Sequence, residues 1–264
     1  MGCHSIPFVS FVSPTQRPGR EPEWFSYLQA FRKHGFVDVQ LREGGSDLLS
    51  QMRKILEYSV GKYTIVMSDL GNGITWEGTN SKGSEKMRSL PLGLLRGLWE
   101  HGFQLMKQMD LHGWSLSASH DGRFMNSNRI TLKLGLLDGK MTGLRVTESM
   151  LALNLHSEVG LIYDVAWACH LWHAGFRFAR YLGICCQHLY RSRGGQASLF
   201  EDANARREVE DRCMRRLSLQ FPDLISWSPR QGYSLKRMQS QFRKHGPEPI
   251  QMEQYVQSRA GRPS

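Results

Sequence analysis

Asp69 stands where an apolar run stops. Residues 63–67 (YTIVM) have the β-branched, apolar chemistry of a strand, and Ser68, Asp69, Gly71, Asn72 and Gly73 have the chemistry of a turn. Ligands of open α/β sheets bind outside the carboxyl ends of the strands, so a carboxylate here can meet a nucleotide or its metal. The ordinary alternative is a turn cap. Cationic residues gather further on: Arg206, Arg207, Arg212, Arg215 and Arg216 lie between Glu201 and Phe221, and Arg230, Lys236, Arg237, Arg243 and Lys244 follow Trp227 with Tyr233 and Phe242 among them. Such cations neutralise phosphate and such rings stack on an extruded base, which is the pattern of a nucleic-acid contact. A solvated charged helix is the alternative. His170 and His173 stand at i and i+3, but no acidic partner is fixed beside them, and they read as packing or surface residues.

The elements that must position these groups follow from hydrophobic period and breakers. Pro7–Val12 reads as a strand, 15–20 (TQRPGR) as a basic loop, and Glu21–His34 as an amphipathic helix ending at Gly35. Phe36–Leu41 alternates as a second strand. Ser46 caps a helix through Val60 with Leu48, Leu49, Met52, Ile55 and Leu56 on one face, and the strand ending at Asp69 comes next. This order implies three parallel strands with right-handed crossovers, the layout of a nucleotide-binding half. Residues 80–89 read as a surface loop, Leu90–Leu111 as a helix and Gly113–Ala118 as a central strand. Arg129–Val146 reads as a hairpin turning at Leu137, Asp138, Gly139 and Lys140. Tyr163–Gly175 is helical, Phe176–Leu189 is strand-like, and Glu201–Phe221 is a charged helix closed by Pro222.

The 264 residues and 40% hydrophobic content allow one full core, read as a single domain over 1–245 with a disordered tail over 246–264. Thirty-four Lys and Arg against 24 Asp and Glu give a net charge of +10, which favours a polyanionic partner. Five cysteines, Cys185 and Cys186 adjacent and none in a C-x-x-C pair, argue against a disulfide framework or zinc ribbon and for a reducing interior. The opening MGCHSIPFVSFVSP lacks the cationic flank and apolar length of a signal peptide or span. The expectation is a soluble intracellular protein with no membrane contact.

Four runs in order, FVSPTQR, LLSQMRKILEYSVGKYTIVMSD, YDVAWACHLWHAGFR and a histidine followed by RGG, resemble the GT-A glycosyltransferases associated with TET/JBP base-modifying systems, the base-J-glucosyltransferase-like enzymes. The likeness covers about residues 8–245 and implies an α/β, GT-A-like mixed sheet flanked by helices. It implies a first-strand loop in which Pro14, Thr15 and Arg17 meet the nucleotide, and a helix whose Arg53 faces the diphosphate. Lys54 replaces the family's usual Asn, so only Arg53 carries over; an exposed loop arginine and a solvated helix face are the alternatives. The family's two-carboxylate D-x-D region, which holds Mn²⁺ or Mg²⁺ against the donor diphosphate, is reduced here to Asp69, with Asn72 near it. His188, followed by Gly194 and Gly195, corresponds to the late histidine that completes the metal shell, or else is structural. Asp164 corresponds to the general base, or else caps its helix, and Ala166 occupies a place that is often acidic.

The resemblance therefore implies transfer of a hexose from a UDP-sugar to the hydroxyl of a 5-hydroxymethylated pyrimidine in DNA, with Arg206, Arg212, Arg216, Arg230, Lys236 and Arg237 on the nucleic acid. Two other readings stand beside it. One is a glycosyltransferase with a protein or glycan acceptor; the other, kept open by the missing second acid, is a non-catalytic nucleic-acid-binding module on a degenerate transferase fold.

Overall fold

The structure, a computed structural model, describes residues 8–12, 29, 32–33, 39–45, 48–67, 71–79, 85–91, 94–118, 125, 129–137, 140–153, 162–188, 200–228 and 232–236. The chain divides into two compact units, Met1–Val60 and Gly61–Ser264.

In the first unit β1 (Phe8–Val12) and β2 (Val39–Glu43) pair in parallel, Phe8 opposite Val39, and α1 (Leu48–Ser59) follows. Gln51 ties the helix down: its Nε2 donates to Phe11 O at 2.6 Å, and its Oε1 accepts from Gly45 N at 2.6 Å. A Cβ at Gly45 would strike the Gln51 backbone, so glycine is required there. The Lys54 ammonium holds the same turn through Gly44 O at 2.7 Å. Tyr58 seats edge-to-face on Phe11 at 5.9 Å, with the Arg42 guanidinium 4.3 Å over its ring. The expected helix over Glu21–His34 and the cap at Ser46 lie outside the described residues, apart from helical positions at 29, 32 and 33.

The second unit is built on a seven-stranded mixed sheet. Its strands are β3 (Tyr63–Met67), β4 (Gly71–Thr79), β5 (Glu85–Ser89), β6 (Gly113–Ser117), β7 (Ile130–Thr131), β8 (Met141–Arg145) and β9 (Phe178–His188). The order is β3-β8-β6-β9-β4-β5, with β7 paired to β9. The helices are α2 (Leu95–Met109), α3 (Glu148–Leu151), α4 (Tyr163–His173) and α5 (Ala203–Gln220); a hairpin of β10 (Ile225–Ser228) and β11 (Gly232–Leu235) closes the described chain. Among the described residues no helix is long and apolar enough to cross a membrane.

The core explains the glycines. Leu98, Gly102, Leu105 and Met106 form the buried stripe of α2, spaced for one helical face. That stripe packs on Trp114 of β6, which is fully buried. The indole lies where a Cβ at Gly102 or at Gly143 would fall, so both neighbours must be glycine. Phe103 and Tyr181 meet the ring edge-to-face at 6.2 and 5.8 Å, and Tyr181 OH shares a 2.7 Å hydrogen bond with His101 Nδ1. Ala179 and Tyr181 of β9 belong to this face; Phe178 and Arg180 reach the other, where α4 places Ala168 and Trp172 beside them. The unit is thus mixed α/β, with helices on both faces of a mixed sheet.

Four expectations need correction. The strand ending before Asp69 does not join β1 and β2 in one parallel sheet: β3 runs antiparallel to β8, Met67 opposite Met141. It is an edge strand, with Tyr63 46% and Met67 44% exposed, although its composition reads as buried. The glycine-rich turn is shorter than expected, because Gly71–Thr79 is extended; register with β9 shifts between Gly71 and Ile74, a bulge that Gly71 and Gly73 permit. Within the expected surface loop over 80–89, residues 85–89 pair with β4. The hairpin over 129–146 does not form, since β7 pairs with β9 while β8 pairs with β3 and β6.

Gly175 turns α4 into β9 at φ 87, and a Cβ there would meet nothing within 4 Å. Gly175→Ala therefore carries only left-handed backbone strain, a loss of about 1–2 kcal/mol. Urea denaturation should show the midpoint falling with an unchanged slope.

Candidate active site

Strand direction decides where the sequence-predicted residues meet. β3 and β6 each run antiparallel to β8, and β6 runs parallel to β9, so β3, β6 and β9 point the same way. Their carboxyl ends share one edge: Met67 ends β3 opposite Met141, Ser117 ends β6 opposite Cys185, and His188 ends β9 opposite Gly71. β3 and β4 stand four strand-to-strand steps apart in the sheet order. A flat sheet would separate them by ~19 Å, yet four residues from Met67 to Gly71 reach at most ~14 Å. The sheet therefore curls, and its strand ends ring a mouth. Part of the curl is built into β9, whose register with β6 jumps between Ser115 and Ser117, while β7 pairs with the opposite side of β9 at Tyr181 and Arg180.

Asp69 itself lies outside the described residues, two positions after Met67 and two before Gly71. His188 has a described backbone only, and that backbone is the register partner of Gly71. Pairing thus brings Gly71 and His188 to the same edge, although more than a hundred residues of sequence separate them. Among the described residues no group of three or more His, Cys, Asp or Glu converges on a metal-sized site.

Asp164 opens α4. Its Oδ1 accepts the Val165 N–H at 3.0 Å, while the N-cap position is Ile162, which has no capping side chain. Burial pushes the Asp164 carboxyl above the usual carboxylate range, and the Glu210 charge adds to that; the Val165 and Asp164 N–H groups and the Lys140 ammonium oppose it. Lys140 immediately precedes Met141, the partner of Met67. Beside it, burial raises the Tyr163 phenol, whose hydroxyl has no hydrogen-bond partner among the described residues; its ring stacks on Trp167 at 5.9 Å. A partly buried carboxyl whose neutral form is favoured is the state from which a group can take or return a proton near its working pH.

The other predicted residues are placed as follows. Thr15, Arg17, Arg230 and Arg237 lie outside the described residues. Arg53 is exposed on α1 and pairs with Glu57 at 3.1 Å, an i,i+4 pair worth about 0.3–0.5 kcal/mol. Arg206 pairs with Glu210 at 2.7 Å, and Arg212 and Arg216 are exposed on α5. Lys236 donates to Pro222 O at 2.8 Å, which pins β11 to the end of α5. His170 and His173 both pack on the Phe221 ring, at 4.8 and 5.3 Å. Sequence reasoning missed Lys140 and Arg180; a basic residue within the otherwise apolar strand over 176–189 was the available signal for the second.

No family model, curated protein or solved structure matches the chain. The chain is a mixed α/β protein whose curled mixed sheet brings the carboxyl ends of β3, β6 and β9 to one edge.

Proposed function

We propose that the chain is a nucleotide-sugar-dependent glycosyltransferase of GT-A type, moving a hexose from a UDP-sugar to the hydroxyl of a 5-hydroxymethylated pyrimidine in DNA. One observation supports the reading: β3, β6 and β9 end at a single carboxyl edge of the sheet, where His188 closes β9 and the sequence directly after β3 carries Asp69. In this reading Asp164 accepts the proton of the attacking hydroxyl, and burial keeps its basicity above that of a solvated carboxylate. Asp69 and His188 hold the divalent cation, Mn²⁺ or Mg²⁺, which when bound offsets charge on the donor diphosphate. Thr15 and Arg17 meet the nucleotide, and Arg53 can exchange its weak solvent-exposed pair with Glu57 for a diphosphate oxygen. Exposed Arg212 and Arg216, and the +10 net charge, suit a phosphate backbone as acceptor carrier.

The test is direct. Purified protein with Mn²⁺ and a panel of UDP-hexoses should add one hexose to nucleosides digested from hydroxymethylated duplex DNA and none to those from plain DNA. Asp69→Asn and His188→Ala should each remove most of the transfer, and calorimetric titration should show weakened Mn²⁺ binding. A protein with wild-type melting behaviour and no hexose increment with any donor ends the proposal. DNA affinity that does not fall as salt rises points instead to a protein or glycan acceptor.

A further inference from the structure

On the α4 face of the sheet lies a second, unrelated group of residues. Arg180 of β9 sends its guanidinium into a cleft walled by Leu134, Leu137, Trp172, Phe176 and Phe178, with Lys133 at the same cleft and no carboxylate among the described residues that line it. Arg180 Nε is buried and has no hydrogen-bond partner, and no ion pair reaches the guanidinium from the described residues. Gly135 lies against it: a Cβ there would overlap the guanidinium, so the absent side chain is what lets the arginine occupy this place. A second cation reinforces the field, since Arg177 lies 4.3 Å over the Trp172 ring, with its Nη1 held by Trp172 O at 3.1 Å and Phe176 O at 2.9 Å. A partly buried guanidinium whose Nε meets no acceptor among the described residues costs folding free energy, and a fold that retains one has an unfilled acceptor requirement.

We propose that this cleft binds a small organic carboxylate, with the carboxyl group on the Arg180 fork and the apolar body along the Trp172 and Phe176 wall. The planar guanidinium offers two parallel donors that match a carboxylate. The internal volume of about 20 Å³ seats a group only slightly larger than a water molecule, so the head enters and the body lies across the mouth. Trp172 is eight residues along α4 from Asp164, about 12 Å, so the cleft is distinct from the carboxyl edge. The proposal does not depend on glycosyl transfer.

The full chain is titrated with sodium benzoate and, at matched ionic strength, with benzamide, its neutral near-isostere, following the melting temperature and the heat of binding. Benzoate is expected to bind saturably by about 20 mM, the range open to so small a ligand, and to raise the melting temperature accordingly. Benzamide should bind at least tenfold more weakly. Arg180→Met should abolish the benzoate response. Because removal of a buried side chain can disturb the fold, Gly135→Ala serves as an independent variant that displaces the guanidinium with the charge retained, and it should weaken benzoate at least tenfold while keeping the wild-type circular dichroism spectrum. Equal binding of benzoate and benzamide, no saturable benzoate binding to the wild type, or an undiminished response in either variant overturns the assignment.

Discussion

Asp164→Asn should lower glycosyl transfer by roughly 10²–10⁴-fold, the usual contribution of a general base, and at the same time raise the melting temperature at neutral pH. The two effects have one cause. Burial lifts the Asp164 carboxyl above its ordinary value of 3.8 in the folded chain, so between that value and the folded pKa the unfolded chain releases a proton that the native state keeps. Stability therefore falls as pH rises through this window and stays lower above it. Asparagine does not titrate, so its advantage is present at pH 7 and vanishes below about pH 4. Each kcal/mol reads as roughly 2–4 °C in a unit of this size. Melting curves from pH 3 to 8 decide the matter, because Lys140 and the Val165 N–H act in the opposite sense. If the asparagine variant melts lower than the wild type at pH 7, those partners dominate, and Asp164 is a stabilising first-turn acid and not a base in waiting.

Trp114→Ala should cost about 3–5 kcal/mol, the range for removing a large aromatic from a packed core. The indole is fully buried between α2 and the sheet, and it touches Phe103, Tyr181 and the two glycine positions 102 and 143. Gly143→Ala should cost about 1–3 kcal/mol by overpacking against that ring. The two changes are not independent. In the Trp114→Ala background the added methyl at 143 enters vacated space, so the double variant should be less destabilised than the two losses summed. A strictly additive cycle measured by urea unfolding would show that the alanine at 143 acts through the strand backbone and not through the indole.

The elements with strong internal period were legible in the sequence. The apolar face of α2, the charged run of α5 and the apolar length of β9 each lie within one stretch of chain and needed no distant partner to be recognised. Pairing was not legible. Tyr63–Met67 has the composition of a central parallel strand, yet its partner is β8, far along the chain, and nothing local distinguishes that choice from a place beside β1 and β2. Glu85–Ser89, EKMRS, has no apolar alternation and is a strand because β4 offers it an edge. The turn residues over 137–140 were genuine hairpin signals, but β9 competes for β7 and wins. At the candidate site the residue types at 69, 164 and 188 were readable, whereas the edge at which β3, β6 and β9 end depends on strand direction, which only the pairing supplies. Arg180 escaped notice because an arginine among apolar neighbours in one strand gives no sign of whether a counter-charge awaits it.

β9 is bonded to β6, β7 and β4, and the Thr75 Oγ1 to Cys185 Sγ contact at 3.2 Å spans 110 positions. During synthesis β4, β6 and β7 must therefore wait for this late partner. At ribosomal speeds that interval is roughly 6–20 s, long compared with hydrophobic collapse. The nascent segment carrying Trp76 and Trp114 then has its greasy surface unpaired, and holding chaperones have their clearest opportunity on this polypeptide before residue 178 emerges.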